Sequence, residues 1–120
     1  YHQTALKFWG GTPSIAPFAI ASHSIEYFSR VGSIALRQHN QQLLDVIAQD
    51  LEEKVVSPRA QNQRSGTIIL DFADKQQQVL QTLKSANVSV DVRSLGMRVS
   101  PHIYNDEADV QGFLQLVKSI

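Results

Sequence analysis

The chain has 120 residues, the size of one ordinary domain, and 42% of them are hydrophobic, enough for a real core. Eleven Lys and Arg balance eleven Asp and Glu, and the basic residues are scattered. That argues against nucleic acid as a partner, which needs a clustered excess of positive charge. Cysteine is absent, so disulfides, thiolate metal sites and thiol nucleophiles are excluded. No apolar run approaches the roughly 20 residues that span a bilayer. The longest, Ile15 to Ile25, is broken by Pro17, Ser22, His23 and Ser24. No signal peptide pattern is present, and a cytoplasmic location without membrane contact is expected. The first residue is Tyr1, which suggests a fragment or a processed chain.

In chain order, the stretch to Gly11 reads as irregular. A helix is predicted from Thr12-Pro13, with Thr12 as the N-cap and Pro13 as the first helical residue. Ile15, Phe18, Ser22, Ile25 and Ser29 fall on one stripe, with Phe28 beside it. Gly32 ends or kinks this helix. A second is predicted from Ser33 to about Lys54, with Leu36, Leu43, Leu44, Ile47 and Leu51 as its apolar face. Residues 57–66 read as a polar loop and 67–72 as a strand. Residues 74–86 read as a helix with Val79, Leu80 and Leu83 inward. Val88, Val90 and Val92 alternate with polar residues, as in a half-buried strand. Met97 to Ser100 reads as a further strand, stopped by Pro101. Asn105 or Asp106 caps a last helix carrying Val110, Phe113, Leu114 and Val117.

This order predicts an α+β domain: a small, mainly antiparallel sheet with helices packed on one face, preceded by a long helical segment. Residues 1–32 read as a connecting segment and helix. Residues 33–120 read as the α+β domain itself.

Three segments hold candidate chemistry. Gly10-Gly11-Thr12-Pro13 precedes a helix start; it is either an ordinary loop and cap or a phosphate contact made by backbone N–H groups and the Thr12 hydroxyl. Arg98 lies between Met97 and Val99 on a strand, so it faces away from them. Held there, it either pairs with a nearby acid or presents a planar fork to a carboxylate. Arg64-Ser65-Gly66 reads as a turn with Arg64 solvated, or as a substrate-contacting loop. His2 and His23 are isolated and His39 sits within a helix. His102, close to Arg98 in sequence, is either structural or part of the site. No histidine pair has metal-ligand spacing, so no metal site is expected.

Taken together, FWGGTPS (8–14), LRQHN (36–40), RSG (64–66), VDVR (90–93) and MRVSPHIYN (97–105) resemble, in that order, the C-terminal third of class V aminotransferase-fold enzymes. These depend on pyridoxal 5'-phosphate and include kynureninases, cysteine desulfurases, selenocysteine lyases and epimerase-like relatives. The resemblance implies that Thr12, with Gly11 beside it, meets the cofactor phosphate of a neighbouring subunit, and hence a homodimer. It implies that Arg98 binds the α-carboxylate of an amino acid substrate, with Arg93 and His102 as weaker candidates. It places the Schiff-base lysine upstream, in a large cofactor domain of the same polypeptide. Lys7 is too close to Thr12 to serve, and Lys54, Lys75, Lys84 and Lys118 lie on the wrong side of it. The chain alone is therefore expected to hold no cofactor covalently and to be catalytically silent. The lack of cysteine, with no room for a thiolate loop between Arg93 and Arg98, argues against persulfide chemistry. The competing reading is a free-standing α+β module that binds a small molecule or dimerises without catalysis.

Overall fold

A computed structural model describes residues 3–8, 10–12 and 14–120. Trp9 and Pro13 of the FWGGTPS segment, and His2, lie outside the described residues. The chain divides into two compact units, Tyr1–Ser33 and Ile34–Ile120.

The first unit holds a short 3-10 turn, Ala5–Phe8, and helix α1, Ile15–Val31. The N-cap of α1 is Ser14 rather than Thr12. Pro17 explains the later start. A proline lacks the N–H and its ring collides with the carbonyl four residues back, so it is tolerated only in the first turn. A helix begun at Pro13 would put Pro17 in its second turn; begun at Ile15, it puts Pro17 third. Gly32 closes α1 as expected, with φ of 90° and its N–H donating to Phe28 O at 3.0 Å.

The second unit contains α2 (Ser33–Asp50, its first residue in the preceding unit), β1 (Ile68–Leu70), α3 (Gln76–Ser85), β2 (Asp91–Arg93), β3 (Gly96–Val99) and α4 (Glu107–Lys118). The strands form one antiparallel sheet in the order β1-β3-β2, so the expected α+β class holds. Ile68, Leu70 and Met97 are fully buried on one face of the sheet. They meet Leu43, Leu44 and Ile47 of α2, Val79 and Leu83 of α3, and Val110, Phe113, Leu114 and Val117 of α4 in a single core cluster. The strand period of two leaves Ile69 and Arg98 on the opposite face, as register partners.

In the second unit the predicted end of α2 and start of β2 move most. Helix α2 stops at Asp50, not near Lys54, and a 3-10 turn, Glu52–Lys54, follows. The turn brings the chain back along β1, where Val56 N–H donates to Ile69 O at 2.9 Å and Asp71 N–H to Lys54 O at 2.8 Å. The outer edge of β1 is thereby covered. The strand predicted from Val88 starts only at Asp91. The reason is the end of α3. Asn87 adopts a left-handed φ of 58°, its N–H donates to Lys84 O, and Val88 N–H donates to Leu83 O at 2.8 Å. This is a Schellman closure with asparagine in glycine's usual place. It spends the backbone donor of Val88 on the helix end and packs Val88 back on the core.

The cap of α4 is Asp106, one of the two residues expected. Its Oδ1 accepts from Asp109 N–H at 3.0 Å, and Asp109 Oδ2 accepts from Asp106 N–H at 3.2 Å, a reciprocal capping box. Among the described residues no helix is long and apolar enough to cross a membrane.

Gly96 starts the central strand with φ of 133°, and a Cβ there would lie 2.5 Å from the Leu70 carbonyl oxygen. Backbone cannot retreat as a side chain tip can. Gly96→Ala is therefore expected to destabilise the fold by about 2–4 kcal/mol, measured by urea unfolding.

Candidate functional site

The predicted site residues fall in both units. In the first, Gly10, Gly11 and Thr12 are exposed. Among the described residues, nothing lies within 4 Å of the Cβ positions of Gly10 and Gly11. Ser14 makes no side-chain cap bond to the first turn of α1. A 17-residue helix thus presents its N-terminal dipole end two residues after the exposed Thr12.

In the second unit Arg98 occupies the centre of the three-stranded sheet, on the face away from the core. Its direct cross-strand partner is Asp91. Arg98 Nη2 donates to Asp91 Oδ2 at 2.7 Å, and Arg93 Nη2 reaches the same oxygen at 2.6 Å. The Arg98 side chain is 40% exposed, yet its Nε–H is buried and, among the described residues, has no hydrogen-bond partner. A guanidinium with one edge anchored and another donor unspent is a suitable carboxylate receptor. Arg93, on the edge strand, is 59% exposed at its side chain and pairs with Asp91.

His102 lies beyond Pro101, exposed, with its ring 5.1 Å from that of Tyr104. Its backbone N–H donates to Asn105 Oδ1 at 3.0 Å. Asn105 Nδ2 in turn donates to Asp109 Oδ2, and Asn105 O accepts from His39 Nε2 at 2.9 Å. The loop after β3 is therefore pinned between α2 and the cap of α4.

One expectation is overturned. Arg64 is not solvated: it is 4% exposed and its side chain is 1% exposed. Its Nε and Nη2 donate to Gln41 Oε1 at 3.1 and 3.0 Å, and Nη2 also to Asp45 Oδ1 at 2.5 Å. Gln41 Nε2 donates to Ser65 O, and Arg37 Nη2 to Arg64 O. Asn40 Nδ2 bridges Gly66 O at 3.0 Å and Pro101 O at 2.8 Å. Arg37, Gln41 and Asp45 recur every four residues, so they share one face of α2. The signal lay in that polar stripe, which a reading centred on apolar periodicity passes over. It marks Arg64-Ser65-Gly66 as a loop gripped by α2, not a loose turn.

A cavity of about 370 Å³ lies nearby in the second unit, between the Val88–Val90 stretch and α4; Val99, Tyr104, Asn105 and Phe113 line it, and Arg98 does not.

Against known proteins, the family model of the kynureninase C-terminal domain matches residues 30–117. The apo structure of a cysteine desulfurase from Thermococcus onnurineus NA1 superposes on 91% of this chain with a TM-score of 0.82 at 20% identity. The match covers 32% of that chain, so the present chain spans about a third of its length. At that identity the likeness concerns the fold. No curated protein matches the chain.

The α2 network generates a stability prediction. Arg64→Met removes the buried partner of the partly exposed Asp45 and leaves the buried Gln41 amide oxygen without its donor. It is expected to cost about 3 kcal/mol in urea unfolding, whereas a change at the exposed Arg59 should cost under about 1 kcal/mol.

Proposed function

The chain belongs to the kynureninase C-terminal domain family, and from that premise we propose that it is the substrate-clamping, dimer-contacting domain of a pyridoxal-phosphate enzyme acting on an amino acid. The observation that carries this reading is Arg98, held at the centre of the sheet with its Nε–H buried and unspent. Residues 33–120 are the clamping domain, and residues 1–32 connect it to a large cofactor domain of the same polypeptide.

Arg98 acts as the carboxylate clamp. Its guanidinium is fixed by Asp91, and its remaining donors meet the substrate α-carboxylate. Fixing the carboxylate fixes the rotation of the substrate about its Cα, which selects the bond to be broken. Orientation of that kind lowers a barrier by several kcal/mol, on the order of the lower end of measured effective molarities. Arg93 adds positive potential from the edge strand, and His102 stands at the rim.

Gly11 and Thr12 form the phosphate contact across the dimer. The open glycine turn, the uncapped helix start and the hydroxyl fit a phosphate, and among the described residues nothing crowds the backbone there. When bound, pyridoxal phosphate supplies the electron sink for the chemistry. The lysine that holds it belongs to the large domain, so this chain alone is catalytically silent. Helix α1 fits that arrangement. Ile15, Phe18, Ile20 and Ile25 are 77, 59, 71 and 64% exposed, and large apolar side chains left open on a helix are suited to burial against further protein.

Two substitutions in the polypeptide that carries this domain separate the two contacts. Arg98→Lys keeps the charge but loses the fork. It is expected to raise KM for the amino acid by about 10- to 100-fold while cofactor retention on dialysis stays the same. Thr12→Ala is expected to do the reverse, weakening cofactor retention by about tenfold with little effect on KM once the cofactor is saturating. An unchanged KM in Arg98→Lys removes the clamp assignment.

A further inference from the structure

Resting on the clamp reading of Arg98, we propose that Asp91 is a positioning residue for the site: an internal carboxylate that holds the Arg98 fork in its receptive orientation and tunes the pair of arginines to a single anionic group.

Three features of the sheet support this role. Asp91 is the direct register partner of Arg98 across the β2–β3 ladder, so their backbones are fixed relative to each other. One oxygen, Oδ2, accepts from both Arg98 Nη2 at 2.7 Å and Arg93 Nη2 at 2.6 Å. The Arg98 Nε–H is buried and unpaired although the end of the same side chain is anchored. An arginine side chain loses considerable rotamer freedom when it is immobilised. Asp91 takes that loss in the folded protein, before any ligand arrives, and preorganisation of this kind improves affinity without a new contact. The anchor also takes up one Nη2 edge, which directs the ligand to the remaining donors.

Charge makes the arrangement selective. Two guanidiniums and one carboxylate leave a single uncompensated positive charge on this face of the sheet. One carboxylate group neutralises it. Without Asp91 the two arginines would offer two charges, and Arg98 would be free to follow whichever anion arrived. Asp91 therefore acts through Arg98 and does not touch the substrate.

The test uses the full 120-residue chain and sodium acetate as the carboxylate probe, with sodium chloride at equal ionic strength as the control. Nitrogen-edited NMR reads the arginine Nε–H signals, and the Arg98 signal is identified by its loss in Arg98→Lys. In the wild type, acetate shifts the Arg98 Nε–H signal and chloride does not. In Asp91→Asn, acetate affinity falls by about tenfold, and relaxation shows the Arg98 Nε–H gaining motion. Asp91→Glu, which keeps the charge on a longer arm, recovers part of both. Loss of a stabilising pair alone would lower the melting temperature without changing the acetate affinity of the folded protein. Asp91→Asn binding acetate as well as the wild type overturns the proposal. Tighter binding in Asp91→Asn overturns it too, since Asp91 would then be a competitor for the fork. A wild-type Arg98 signal indifferent to acetate sinks the clamp reading itself, a failure distinguishable from the other two.

Discussion

A guanidinium buried beneath a helix organises the second unit. Arg64 has almost no contact with solvent, and a charge so placed must find compensation or be expelled. Gln41 and Asp45, one turn apart on α2, provide it. Because the arginine is fixed, the residues around it are fixed as well. Ser65 O and Gly66 O are taken up by Gln41 and Asn40, and Pro101 O by the same Asn40 amide. A single helix face therefore holds the loop that enters β1 and the loop that leaves β3. Both loops flank strands that bear on Arg98. The pair matters less for the stability it adds than for the arrangement it imposes, since buried ion pairs gain little over well-packed apolar residues.

The sheet continues the same logic. Three short strands would not be stable alone. They persist because Ile68, Leu70 and Met97 face a core filled by α2, α3 and α4. The other face of the sheet is thereby released from packing and can carry polar residues. Arg98 projects from the central strand, which β1 and β2 flank along its length, and so from a rigid backbone. Gly96 permits that strand to begin hard against Leu70. The charged edge strand, with Asp91 and Arg93, both anchors Arg98 and discourages pairing with another chain's edge. A rigid strand on one side and a pinned loop on the other give the Arg98 side chain a supported frame.

Family membership and physical reading support each other at different points. The kynureninase C-terminal domain match covers residues 30–117 and so includes Arg98, Asp91 and the α2 network but not Thr12. The clamp side of the proposed function rests on that ground together with the geometry of the sheet. The phosphate side rests on the glycine turn and the helix start alone.

Much of the architecture was legible from residue order. The α+β class, the helix faces of α3 and α4, Gly32 as a stop and Asp106 as a cap follow from local rules: apolar period, left-handed glycine and short polar caps act within a few residues of chain. The late start of α1 follows from a rule equally local, since Pro17 is tolerated only in a helix's first turn. The alternation at Met97, Arg98 and Val99 assigned their opposite faces. Tertiary structure decided what depends on residues far apart. Arg64 is buried because Gln41 and Asp45, 23 and 19 residues away, meet it. Asp91 and Arg98 form a pair because β2 and β3 take one register and not the next. Sequence reveals that a charge is present; only the folded neighbourhood decides whether water or another side chain answers it, because the strength of a charge interaction depends on distance and burial that no local pattern encodes.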